Sequence, residues 1–297
     1  MDTSSLFRVD GMVAVVTGGG SGLGFQMAKA LANAGAKKVY ILARRKQQLE
    51  EAAKAHKSLH PLVCDVGSKE SLQAAIDAIA KESGYVNLVI ANSGIMGPED
   101  RFHPDLSISE IKQRLFDNIS MEDFTRTSHI NVTGAYYTML GFLELLDAGN
   151  KNAVKGGFGA PLTKGSDIPF IQSQVLFISS ISAYSRAYLS APSYSGSKAA
   201  IEHLAKHAST NLAHHGIRVN AMAPGIFPSE MADSLIKSRD PSKEHPSETR
   251  FIPARRFGTD EEMAGSVLYL ASRAGAFCNG LVLVNDGGKT STMPATY

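Results

Sequence analysis

The chain has 297 residues, is 43% hydrophobic and 20% charged, and carries a formal net charge of +2 with its basic residues scattered along its length. This balance describes a globular protein able to bury a sizeable core, and it excludes the basic footprint of nucleic-acid or acidic-membrane binders, leaving small molecules as the expected partners. Cys64 and Cys278 stand far apart in no metal-ligand spacing, the N-terminal MDTSSLFRVDG has no apolar leader core, and no apolar run approaches the ~18 residues of a membrane span, so a reducing, cytoplasmic setting without a membrane partner is expected.

Short β-branched runs alternate with helical patterns along the chain. MVAVVT (12–17) is a continuous apolar run of the buried parallel-strand kind, and it leads directly into GGGSGLG. A helix follows with Leu23, Met27, Ala30, Leu31 and Ala34 on one face and Gly35 as its stop. VYILA (39–43), a polar helix from about Lys46 and PLVCD (61–65) continue the alternation. Ser68 caps a helix whose Leu72, Ala75, Ile76 and Ile79 keep the helical period until Gly84. VNLVIAN (86–92) reads as a strand, 124–146 as one long helix, QVLFISS (174–180) as a strand and 192–215 as a helix. IRVNAMAP (217–224), a capped helix over 259–272 and GLVLVND (280–286) close the series. The pattern predicts an α/β fold, a doubly wound Rossmann-type sheet of about seven parallel strands with helices on both faces. No linker separates two cores, so 1–297 is expected to be a single domain with its core at about 9–288.

Thr17, Gly18, Gly20, Ser21, Gly22, Leu23 and Gly24 lie between the first strand and its helix. Glycines there let backbone approach a pyrophosphate, and the helix N-terminus offers unpaired N–H groups and a partial positive charge. The spacing of Gly18, Gly22 and Gly24 is GxxxGxG rather than the general dinucleotide fingerprint. Farther along, Tyr194 and Lys198 stand four apart at the start of a helix, which stacks them on one face. A cation beside a phenol favours the phenolate, so the pair predicts a Tyr194 pKa lowered from about 10.

The glycine spacing together with Tyr194 and Lys198 resembles the short-chain dehydrogenase/reductase family in its compact single-domain branch. Asp65 after the third strand, ANSG (91–94) after the fourth, Asn131 in NVTG, the serines of ISS, YSGSK, and PGIFPS (224–229) fall in family order over about residues 9–288. The resemblance implies that Asp65 meets the adenine, that Asn92 and Gly94 border the cofactor, and that Ser229 with the Pro224–Gly225 backbone holds the nicotinamide carboxamide. Val66, Ser93 and Ile226 complete the implied cofactor set. Tyr194 is the implied proton donor, Lys198 stabilises its phenolate and holds the nicotinamide ribose, and Asn131 positions a water behind Lys198. Ala91 and Ser93 depart from the family's NNAG, with a cost expected in sheet bracing rather than chemistry.

Cofactor choice follows from charge. The place where a carboxylate selects NAD through the ribose 2′-hydroxyl is here Arg44, followed by Arg45, and guanidinium groups bind a 2′-phosphate instead. NADP(H) is therefore expected over NAD. The serine that polarises the carbonyl is expected to be Ser180, at the strand end, with Ser182 as the competitor, since the family's usual position holds Ile181. No metal is expected, because Leu204 breaks any HExxH reading of His203 and His207.

Residues 95–119 follow a strand and so start on the ligand side of the sheet, whereas 148–173 precede one and start on the far side as a mobile or oligomer-facing loop. Residues 226–258 are expected to form a lid over the substrate, and Arg101, His103, Arg114 and Arg250 are candidates to meet an anionic one. The leading expectation is NADPH-dependent reduction of a carbonyl of ketoacyl or polyketide-like type. A polyol, sugar or alcohol dehydrogenase is the alternative within enzymes, and an idle cofactor-binding scaffold or redox sensor the alternative outside them. The family resemblance also implies a homodimer or homotetramer through the helices near 124–147 and 192–215.

Overall fold

The computed structural model describes residues 5–161, 163 and 170–296. Strands β1 (Val13–Thr17), β2 (Lys38–Ala43), β3 (Leu59–Val63), β4 (Leu88–Ala91), β5 (Gln174–Ile178), β6 (Arg218–Pro224) and β7 (Val282–Asn285) form one 7-stranded sheet in the order β3-β2-β1-β4-β5-β6-β7, every pair parallel. The expected doubly wound sheet is thus present. Side chains alternate across a strand. In β1, Ala14 and Val16 enter one apolar cluster while Val13 and Val15 enter the other. Both faces are covered, so the strand is apolar throughout rather than alternating.

The helices are α1 (Gly22–Asn33), α2 (Lys46–Ala53), α3 (Lys69–Ser83), α4 (Ile108–Lys112), α5 (Met121–Ser128), α6 (Ala135–Gly141), α7 (Leu143–Val154), α8 (Pro192–Leu212), α9 (Asp233–Lys237) and α10 (Asp260–Ala271). Met27 and Leu31 of α1 and Met263, Val267 and Leu270 of α10 pack the first face, while Leu72 and Ile79 of α3, Met139 of α6 and Ile201 of α8 pack the second. The caps are those the sequence calls for. Ser68 accepts from Ser71 N–H, Gly84 ends α3 in the left-handed region at φ 74°, and Thr259 with Glu262 forms a capping box on α10.

Two elements differ from expectation. The helix expected over 124–146 is interrupted: α5 runs into a π-helical stretch, His129–Gly134, then α6, and the chain leaves helical geometry at Phe142 before α7. The wider turn rotates Asn131 inward to a 2% exposed site. Apolar periodicity averages over such a one-residue register change and cannot register it. The third strand ends at Val63 instead of reaching Asp65, because β3 is the sheet edge and Val63 is exposed there.

Of the 148–173 insertion, 148–154 belongs to α7, and Leu162 and residues 164–169 lie outside the described residues. Asn150 ties this region down, donating to the Gly216 carbonyl at 2.8 Å and accepting from Ser173 N–H at 2.7 Å. The chain beyond 288 also belongs to the fold. Ser185 and Ala295 form an antiparallel bridge, with Arg186 N–H on the Pro294 carbonyl and Thr296 N–H on the Tyr184 carbonyl.

Candidate active site

Strand order reverses between β1 and β4, and loops diverge there at the carboxyl ends, which is where open parallel sheets hold ligands. A cleft of about 870 Å³ opens at that edge. Its floor is the loop after β1. Gly18 at φ 67° and Gly22 at φ 51° take left-handed conformations that favour glycine. A Cβ on Gly24 would lie 2.3 Å from the Gly18 carbonyl oxygen, so only glycine lets α1 start against this turn. The N-terminus of α1 therefore faces the cleft, a cradle suited to a pyrophosphate.

Thr17 is the exception within that loop. It is 1% exposed and does not line the cleft. Its hydroxyl accepts the Asn92 and Ser93 N–H groups, both at 3.0 Å, while Asn92 Nδ2 donates to the Thr17 carbonyl at 2.9 Å. Thr17 thus ties the loops after β1 and β4 together instead of touching a ligand, a correction to its expected place.

The remaining expected cofactor positions all line the cleft: Gly18, Gly20, Ser21, Gly22, Leu23, Gly24, Arg44, Arg45, Asp65, Val66, Asn92, Ser93, Gly94, Tyr194, Lys198, Pro224, Gly225, Ile226 and Ser229. Arg44 makes no hydrogen bond or ion pair among the described residues, whereas Arg45 pairs with Glu230 of the 226–258 segment at 2.7 Å. A dinucleotide fits this set, with a glycine cradle at one stretch and two guanidinium groups, but no carboxylate of β2, at another.

Pro192 starts α8 and places Tyr194 and Lys198 one turn apart on its cleft side. Lys198 is 4% exposed, its Nζ lies 5.6 Å from the centre of the Tyr194 ring, and it donates to the Ile178 carbonyl at 2.8 Å. Burial pushes the Lys198 pKa down to about 8, partly offset by the Glu202 carboxylate. Burial also pushes the Tyr194 phenol above its ordinary value, against a smaller downward pull from a hydrogen bond with Ser180. The sequence pair predicted the opposite direction for Tyr194. Desolvation outweighs a cation that spends a donor on a backbone carbonyl. A raised pKa favours the neutral phenol.

Ser180 lines the cleft beside Tyr194, and its hydroxyl accepts the Ser182 N–H at 3.1 Å. Ser182 lines the same cleft. Asn131 stands behind the cleft wall. Its Nδ2 donates to the Ile95 carbonyl at 2.9 Å and to Ser197 Oγ at 3.0 Å, and its Oδ1 accepts Ile95 N–H at 2.8 Å. Both amide donors are spent, so the side chain clamps the 94–96 loop to α8.

The loop after β4 contributes Ile95, Met96, Glu99 and Arg101 to the cleft, and the 226–258 segment contributes Phe227, Met231, Leu235, Arg239 and Arg250. Arg101 and Arg250 therefore reach the cleft, but His103 packs edge-on against Tyr188 and Arg114 is exposed elsewhere. Arg250 is also engaged by Glu248 at 2.7 Å. No described residue of 148–173 lines the cleft. Sequence reasoning missed Glu230, Gln48, Arg239, Lys289, Met293 and Glu202, since none sits in a motif. Only the tail beyond Gly288 left a readable trace, as residues outside the resembling core.

Comparison with known proteins follows this geometry. The short chain dehydrogenase family model matches residues 12–154, and the enoyl-(acyl carrier protein) reductase model matches 167–290. Short-chain dehydrogenase/reductase SAT3 of Stachybotrys chartarum is 62% identical over 272 residues, 91% of this chain and 100% of that protein. Galactitol 2-dehydrogenase (L-tagatose-forming) of Cereibacter sphaeroides is 30% identical, covering 98% of this chain and 99% of its own. The solved RhlG/NADP active-site complex of Pseudomonas aeruginosa superposes with TM-score 0.76 at 26% identity, covering 97% of this chain and 99% of that one. With its parallel sheet, glycine cradle and cleft-lining tyrosine and lysine, the chain belongs to the short-chain dehydrogenase/reductase family, oxidoreductases of carbonyl and alcohol groups whose fold binds NAD(P).

Proposed function

We propose that this chain is an NADPH-dependent carbonyl reductase, taking a ketone to an alcohol on a substrate of ketoacyl or polyketide-like type. The observation that carries this reading is the gathering of Ser180, Tyr194 and a buried Lys198 on one cleft, with the Lys198 Nζ 5.6 Å from the centre of the Tyr194 ring. When bound, NADPH supplies the hydride. Tyr194 gives its proton to the carbonyl oxygen as negative charge develops there, and Ser180 donates a hydrogen bond to the same oxygen. The Lys198 ammonium stabilises the phenolate left on Tyr194. Asn131 keeps the 94–96 loop and α8 in fixed relation, so these groups do not drift.

Preference for the 2′-phosphorylated cofactor is supported by Arg44 and Arg45 on the cleft wall where an NAD-selecting carboxylate would stand. The NADP held by the 26% identical RhlG structure agrees. The galactitol dehydrogenase relative supports a second reading, oxidation of a polyol. Self-association through α5, α6 and α8 is supported by the exposed Phe124, Tyr137 and Leu140, and light scattering would show a dimer or tetramer. The deciding experiment follows NADPH consumption on a panel of ketoacyl thioesters and ketones, and NAD(P)H formation on sugars and polyols. Turnover of ketones that vanishes in Tyr194→Phe supports the reading, polyol oxidation alone supports the second, and no turnover on either panel overturns both in favour of a cofactor-binding scaffold.

A further inference from the structure

Arg239 and Lys289 line the same cleft from two different segments, the lid just after α9 and the chain just after β7. Both are removed from solvent. The Arg239 side chain is 9% exposed and Lys289 is 6% exposed. Arg239 spends Nε and Nη2 on Glu244, at 2.8 and 2.7 Å, and Nη2 again on the Arg250 carbonyl at 2.6 Å. Its Nη1, with two N–H donors, has no partner among the described residues. Lys289 donates to the Thr249 carbonyl and keeps two further N–H donors.

Lys289 makes no direct ion pair among the described residues. Glu244 is the carboxylate that pairs with Arg239. Asp286 is near Lys289, but its oxygens are occupied by Gly288 and Thr290 N–H at 2.8 and 2.7 Å. Arg250, on the same side of the cleft, is already matched by Glu248. Lys289 thus lacks a direct carboxylate partner, and burial together with the Arg239 charge pushes its pKa down against a smaller upward pull from Glu244 and Asp286. A desolvated cation without a full partner is costly unless an anion completes it. The unused donors belong to groups that face the cavity in which the proposed reduction occurs.

We propose that the substrate carries a carboxylate, received by Lys289 and by Nη1 of Arg239, which anchors the molecule while its ketone reaches Tyr194. The proposal rests on the carbonyl-reductase reading for the ketone and on this cluster for the carboxylate. Lys289 supplies a point charge and Arg239 a directed N–H edge, a donor pair suited to the two oxygens of a carboxylate.

Two measurements separate the claims. Calorimetry on the full chain with NADP+ compares hexanoate with hexanamide, which differ only in the anionic head. Hexanoate is expected to bind about tenfold tighter or more, the gain of a charge-assisted hydrogen bond. Lys289→Met should erase the difference, and Lys289→Arg, which keeps the cation, should restore most of it. Equal binding of acid and amide, or discrimination that survives in Lys289→Met, overturns the carboxylate site. Thermal melting and NADP+ affinity show whether Lys289→Met is folded, and if it is not, the wild-type comparison and Lys289→Arg decide. Separately, NADPH consumption is followed on 5-oxohexanoate and its methyl ester. A kcat/KM ratio favouring the acid, and falling toward one in Lys289→Met, supports both claims. Failure to reduce either compound counts against the carbonyl-reductase reading, while hexanoate binding still decides the carboxylate site.

Discussion

Glu230 of the 226–258 segment meets Arg45 at the foot of α2 at 2.7 Å, and Gln48 one turn farther along α2 donates to the same carboxylate at 2.7 Å. The proposed lid is therefore latched to the residues proposed to read the cofactor's ribose. The carboxylate also occupies one of the two guanidinium groups a 2′-phosphate would use. Both partners are more than half exposed, at 63% and 57%, so the latch is worth only about 0–1 kcal/mol and yields readily to a phosphate. Glu230→Gln is expected to tighten NADPH binding by about threefold and leave NADH binding unchanged. Arg44→Asp is expected to reverse the preference. Fluorescence titration of both nucleotides checks this, and an equal gain for NADH in Glu230→Gln would show that the latch does not sense the phosphate.

The proposed choice of Ser180 over Ser182 turns on the Tyr194 phenol, whose pKa the Ser180 hydroxyl pulls down. Ser180→Ala is expected to lower kcat for ketone reduction by about 10²-fold or more, the usual loss of an oxyanion donor. Ser182→Ala should cost less than about tenfold, because its hydrogen bonds among the described residues are made by its backbone, to Ser180 and Ser185, and not by its hydroxyl. The reverse order of losses in steady-state rates would move the role to Ser182.

The proposed reduction needs Lys198 charged and Tyr194 protonated. The Lys198 pKa lies at about 8 and that of Tyr194 above its ordinary value, so the rate should fall as pH rises through about 8, with Lys198 setting the limb. The Glu202 carboxylate raises the Lys198 pKa, so Glu202→Gln should move the alkaline limb to lower pH. A limb that stays in place would separate Glu202 from the chemistry. The same group has a stability signature. Its folded pKa, about 8, lies below the ordinary 10.5, so the unfolded chain binds more protons between those values. Unfolding free energy from this group therefore rises with pH across that window.

Arg218 tests the scaffold instead of the site. It is 3% exposed in β6 and donates to Gln174 Oε1 at 3.2 Å and to the Gly275 and Cys278 carbonyls at 3.1 and 3.0 Å, binding the segment after α10 to the sheet. Arg218→Met leaves these acceptors buried without their donor and is expected to cost about 3 kcal/mol of stability, seen as a lower urea midpoint. Nucleotide affinity in the native state should stay close to wild type, since Arg218 is remote from the cleft lining. A drop in affinity without a drop in midpoint would contradict this.

Much of the site was legible because its residues lie in loops that local rules place. Gly18, Gly22 and Gly24 follow a strand and precede a helix, and Tyr194 and Lys198 share a helical face, so short-range geometry suffices to bring each set to the sheet's carboxyl edge. Thr17 and Asn131 show where such reasoning stops. Each belongs to a motif, yet each spends its polar atoms on backbone 36 or more residues away, Asn131 on Ile95 and Thr17 on Asn92. A motif names the residue but not the partner that consumes its hydrogen-bonding capacity.

By itself, the amino-acid sequence determined the succession of strands and helices along the chain, the glycine loop after β1, the pairing of Tyr194 with Lys198 on one helical face and the basic residues after β2. These depend on periodicities of a few residues and on side-chain chemistry. Tertiary structure alone decided the direction of the Tyr194 pKa, the π-helical register that buries Asn131, the Glu230 latch and the joining of Arg239 to Lys289. Each of these depends on desolvation or on contact between segments far apart in sequence, and both quantities exist only once the chain has closed on itself.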